Sequence, residues 1–180
     1  MMMTSNPPLT NPKKTVPNLH SRWYEKDKML LTFVGRLQKM PLALMETYCR
    51  CIIKCALELY ESDDSKLYHI EAGSEKHLAL LNATEKKRWC DKNPFAYRAF
   101  NALFLMDDLR RKELVTKLLE SQTSLLHAYN QCCKELQIEP KLAAFEQILS
   151  IYIKHGEQEA LAELIVIQTA GSLEEYVPQQ

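Results

Sequence analysis

Three of the chain's six cysteines, Cys49, Cys51 and Cys55, fall within seven residues in the stretch YCRCIIKCALELY. Cysteines this dense can build a metal or redox centre. A zinc knuckle, however, places two cysteines two to four residues apart in a turn and adds a second ligand pair elsewhere. The stretch reads as helix. At about 100° per residue, Cys49 and Cys51 lie about 160° apart and cannot close on one ion. Only Cys51 and Cys55, at i and i+4, share a face; they become half of a site if Cys132, Cys133 or a histidine joins them. The simpler expectation is that the thiols fill helix contacts as small apolar groups do. Cys49 then belongs to the apolar stripe of Leu42, Met45, Ile52, Ala56 and Leu59, and Cys51 is the accessible thiol. Glu46, Arg50, Lys54 and Glu58 step by four along a side expected to face water. No metal and no cofactor is expected.

The second candidate is TEKKRWCDKNPFAYRAF, residues 84–100, where cations alternate with aromatic rings. Arg88, Trp89, Phe95 and Arg98 have the composition of a protein-binding anchor, in which buried aromatics and arginines carry most of the affinity. Lys86, Lys87, Arg88, Lys92 and Arg98 would instead hold a phosphate backbone while the rings stack on bases. A structural reading stands beside both: Trp89 and Phe95 pin a helix corner while the lysines are solvated.

Motifs of catalysis are missing from the sequence. No Glu is followed three residues later by His, as helical di-iron sites require. There is no H-E-x-x-H, no glycine-rich phosphate loop and no G-x-S-x-G. The acidic ESDD lacks the spacing and glycine of a calcium loop. The expected function is therefore a non-enzymatic regulatory or adaptor module that binds another protein. A nucleic-acid-associated factor using residues 84–100 is the alternative, and an enzyme of unrecognised type the second.

The elements that hold these residues are expected to be helices. Four glycines in 180 residues are too few for a sheet protein, which needs turn residues every few positions. Residues 1–20 hold four of the eight prolines and are expected to form a disordered arm. A single all-α domain, a bundle of about six or seven helices, is expected over 21–171, with a tail at 172–180. The net charge is zero, but residues 1–40 carry seven Lys/Arg against two Asp/Glu, and residues 156–180 carry five Glu and no Lys/Arg. No export signal and no apolar run of membrane-spanning length is visible, so reduced thiols and a cytoplasmic location are expected.

Leu30, Phe33, Val34 and Leu37 form the stripe of a helix at 22–39, and Pro41 opens one at 41–60. Residues 61–73 read as a polar connection in which KLYHI can be extended. Short helices are expected at 74–81 and 82–89. Asn93-Pro94 caps a helix carrying Phe95, Ala99, Ala102, Met106 and Leu109 on one face. Val115, Leu118, Gln122, Leu125, Tyr129, Cys132 and Leu136 then repeat over three heptads, as the central helix of a bundle or a seam for homo-oligomers. Whether that helix continues the preceding one is open, since Asp107 or Asp108 can cap a new start. Pro140 begins a further helix ending at Gly156, and a last one ends at Gly171.

Overall fold

The computed structural model describes residues 23–71 and 89–174, with the backbone alone at 71, 91 and 167–174. The expected arm, the two short helices before Trp89 and the end of the tail lie outside these residues. Every regular element described is helical, so the all-α expectation holds.

Local chemistry sets most helix starts. A single 3-10 turn, Trp23–Lys26, precedes α1, Lys28–Lys39. The helix expected from residue 22 is divided here because Asp27 caps α1: its Oδ1 accepts the N–H groups of Met29 and Leu30 at 2.8 and 3.2 Å, two donors the first turn leaves without partners. Leu30, Phe33, Val34 and Leu37 are its buried stripe, as the spacing predicts. After Pro41 comes α2, Leu42–Leu59. Helix α3, Asp64–Glu71, replaces the polar connection expected there. The Asp63 carboxylate accepts the Lys66 N–H, and Ile70 is fully buried, which gives this short amphipathic turn a cap and an anchor.

Asn93 caps α4, Pro94–Leu105, through an Ala96 N–H bond of 3.0 Å. Asp107 caps α5, Asp108–Thr123, and so settles the open question: α4 and α5 are separate. That break also removes Leu109 from the α4 face on which it was expected; it is 78 % exposed in the first turn of α5. The long heptad helix breaks once more at Ser124, before α6, Leu125–Glu135. The Glu120 carbonyl accepts from the Thr123 and Ser124 hydroxyls and from the Ser124 N–H. Hydroxyls that bond back onto the preceding turn compete with the helix ladder and bend it.

Helix α6 ends without a glycine. Gln137 takes a left-handed φ of 55°, and the N–H groups of Gln137 and Ile138 bond back to the carbonyls of Lys134 and Cys133, which is a Schellman closure. The Tyr129 hydroxyl holds the following loop: it donates to the Lys141 carbonyl at 2.8 Å and accepts its N–H at 2.9 Å. Helix α7, Leu142–His155, ends at Gly156, whose φ of 100° suits a residue without a Cβ. Helix α8, Glu157–Glu174, follows at once and continues through Gly171, where an end was expected. A helical glycine costs only about 1 kcal/mol and does not enforce a stop.

Helix α2 is the middle of the core. It packs on α4 and on α7, while α1 lies on α5, and α8 leans on α7 and, less extensively, on α6. Tyr48, Phe145 and Tyr129 pack ring against ring, with centroids 6.0 and 5.4 Å apart. Val115, Leu118, Leu125, Tyr129 and Cys132 of the heptad pattern are all buried in this core. Their side chains are thereby taken from the surface on which a seam between copies would need them.

Candidate functional site

The four described residues of the 84–100 candidate do not form one exposed anchor; Lys86, Lys87 and Arg88 lie outside the described residues. Trp89 is half-buried and meets Phe100 edge-on, with centroids 5.5 Å apart. Its indole N–H is shielded from solvent and has no acceptor among the described residues. Phe95 lies under the Arg50 guanidinium, 5.4 Å from ring centroid to carbon. Arg98 points elsewhere: its Nε donates to the Ile70 carbonyl at 3.1 Å, in the last turn of α3. Lys92 is exposed.

Among the described residues, Arg98 is one of three cations used in the same way. The Arg111 guanidinium donates to the Leu103 carbonyl in the last turn of α4, at 3.3 Å. Lys117 Nζ donates to the Ile153 carbonyl in the last turn of α7, at 2.9 Å. Helix C-termini carry carbonyls without intrahelical partners and a partial negative charge, so a cation from a neighbouring helix satisfies both. Sequence patterns place such a cation on a helix but do not show which carbonyl it reaches.

The side of α2 expected to face water is partly cross-linked. Glu46 accepts from Asn93 Nδ2 at 2.7 Å, Arg50 pairs with Glu146 at 2.7 Å, and Glu58 pairs with Lys154 at 2.7 Å. The last two pairs bridge α2 to α7 across a groove of about 580 Å³, lined by Cys51, Lys54, Glu146, Ser150, Lys154 and His155. Half-exposed pairs of this kind contribute at most about 1 kcal/mol each.

All six cysteines are thiols. Cys51 is not the accessible one: it is 2 % exposed, with its Sγ 3.8 Å from the Glu146 carbonyl. Two neighbours flank α2, so opposite sides of the helix are both buried, Cys49 on one and Cys51 on the other. Cys55 is the partly exposed thiol. Burial pushes Cys49 and Cys51 up to about 12 and Cys55 to about 11, from an ordinary 9.0. Thiols held protonated are poor nucleophiles and poor metal ligands at neutral pH. Among the described residues no three His, Cys, Asp or Glu side chains converge as metal ligands, and no helix is long and apolar enough to cross a membrane.

The surface does carry aromatic residues that sequence reasoning passed over. Trp23 and Phe104 meet edge-on at 5.7 Å, and the Arg111 guanidinium lies 5.2 Å from the Trp23 ring. Phe104 is 59 % exposed. The signal for it was present: α4 reads FAYRAFNALFL after its proline, with more apolar residues than one buried face can hold. A second apolar surface lies between α6 and α8, a groove of about 420 Å³ lined in part by Ala128, Cys132, Leu161 and Leu164. Compared with known proteins, the chain matches no family model, no curated protein and no solved structure.

Proposed function

We propose that the chain is a protein-interaction module, an adaptor or regulatory domain without catalytic activity of its own. The observation that carries this reading is the corner where Phe104, Trp23 and Arg111 meet. An exposed phenylalanine against a tryptophan, with a guanidinium on the tryptophan, is the composition in which interface energy concentrates. Arg111 is already held by the Leu103 carbonyl and by Asp108 at 2.9 Å, so a partner would meet a fixed surface and little side-chain freedom would be lost on binding.

The test is affinity purification with the native chain and with Phe104→Ala, each split with and without nuclease. Phe104 is mostly solvated, so melting temperature should move little, whereas a partner bound here should lose about 2 kcal/mol or more of affinity. Partners retained by both proteins would remove the corner from the argument. Partners released by nuclease would favour the alternative, a nucleic-acid-associated factor using Lys86, Lys87, Arg88, Lys92 and Arg98. In that case affinity should fall log-linearly with salt.

A further inference from the structure

We propose that the groove between α6 and α8 docks a basic amphipathic helix of a partner protein. Its floor is apolar: Cys132 and Leu164 are buried there, with the Cys132 Sγ 4.0 Å from the Leu164 carbonyl. Its wall on α8 stands out into solvent, Leu161 at 39 % and Ile165 at 58 % exposure. Helix α8 follows α7 through the single residue Gly156 and reaches α6 over a shorter stretch. A helix laid in such a groove inserts apolar side chains at i, i+3, i+4 and i+7.

Charge selects the occupant. Helix α8 carries no Lys or Arg; of the carboxylates in its first half, Glu157 shares the face of Leu161 and Ile165, while Glu159 and Glu163 lie on the opposite side, where Glu163 accepts from Gln147 of α7 at 3.1 Å. Glu157, Leu161 and Ile165 follow one another at intervals of four, so a carboxylate stands at the end of the apolar wall. Glu135 of α6 lines the opposite side. The exposed Lys134 is the one lysine or arginine of α6, against the two carboxylates Glu135 and Glu157; His127 and Gln131 are the other polar residues of the lining. A second copy of α8 would bring carboxylates against carboxylates, and an acidic helix would do the same. Lysines or arginines flanking an apolar stripe complement the rim, and like charges are rejected. This surface shares no residue with the Phe104 corner, and the inference stands whether or not that corner binds.

The experiment uses the full chain and a synthetic leucine–lysine helix of about five turns, with leucines at i, i+3, i+4 and i+7. Its twin carries glutamate for every lysine. Fluorescence anisotropy should show the lysine peptide binding at least about tenfold more tightly than the glutamate twin. Leu161→Lys with Ile165→Lys should weaken the lysine peptide by about tenfold or more, and Phe104→Ala should leave it unchanged. Glu135→Lys with Glu157→Lys keeps the apolar wall and should close the gap between the two peptides. Thermal melts of each variant establish that it is folded. Equal affinity for both peptides, no binding of either, or binding unaffected by the groove variants overturns the proposal. So does a dimer of the native chain that Leu161→Lys dissociates, since the groove would then belong to a second copy.

Discussion

Helices α4 and α8 are both rich in apolar residues, and their fates differ. Helix α4 turns Ala96, Ala99, Ala102 and Leu103 inward, all fully buried, and packs on α2, α3 and the 3-10 turn Cys90–Lys92. Helix α8 buries Ala160 and Leu164, with α7 and α6 against it, and leaves Ile165 and Val166 largely, and Leu161 partly, in solvent. Apolar content alone does not decide burial; the number of neighbours does. A helix inside the bundle converts apolar side chains into stability, and a helix at its edge presents the surplus as surface.

The largest test of this contrast compares one isoleucine with one leucine. Ile52, fully buried in α2, should cost about 2–5 kcal/mol of unfolding free energy when replaced by alanine. Leu161→Ala should stay within about 0.5 kcal/mol. Comparable losses in chemical denaturation would mean that α8 is as tightly integrated as α2, and the distinction between core and surface helices would fail.

Alkaline pH probes the core side alone. The native thiols Cys49 and Cys51 titrate near 12 and Cys55 near 11, against 9.0 for the ordinary group. The folded state therefore keeps protons that the unfolded chain releases. This contribution is fully present below about pH 9 and is lost as pH rises toward 12, by about 1.4 kcal/mol per pH unit for each buried thiol. At pH 8 Cys55 should alkylate first, and Cys49 and Cys51 only on unfolding. Mass spectrometry that finds Cys51 modified before Cys55 would show the α2–α7 contact to be open in solution.

The smallest effect sharpens the description of α6. Gln137 holds a left-handed conformation that an ordinary side chain adopts at a cost. Gln137→Gly should raise stability by up to about 1 kcal/mol, read as a higher denaturation midpoint with an unchanged slope.

Elements defined by neighbours in sequence were legible before the structure. The stripe of α1, the cap at Asn93 and the glycine after α7 all follow from local chemistry, whereas Asp107 was one of two caps for a break that the sequence left open. The elements misread depend on something farther away or on a subtler competition. Cys51 is buried because α7 covers it, and α3 is held by one buried isoleucine. The helix break at Ser124 comes from two adjacent hydroxyls within a sequence whose hydrophobic repeat continues undisturbed. The candidate site fared less well for the same reason. A run of cations and rings records composition, yet Arg98 is engaged by a carbonyl 28 residues earlier in the chain. Phe104, at the far end of the same helix, is the ring left in solvent. Hydropathy tells which side of a helix is apolar; it does not tell how many partners arrive.

Gly156 has a consequence for handedness. Its φ of 100° and ψ of −174° mirror the extended conformation that ordinary left-handed amino acids adopt with ease. A Cβ built on it in the natural configuration meets nothing within 4 Å, so the obstacle to any other natural residue is backbone torsion rather than space. The junction between α7 and α8 is therefore written for an achiral residue or for a mirror-image one. In a chemically synthesised chain, D-alanine at this position would match the backbone that L-alanine resists. The direction in which α8 leaves the bundle, and with it the groove beside α6, is fixed by stereochemistry at one carbon.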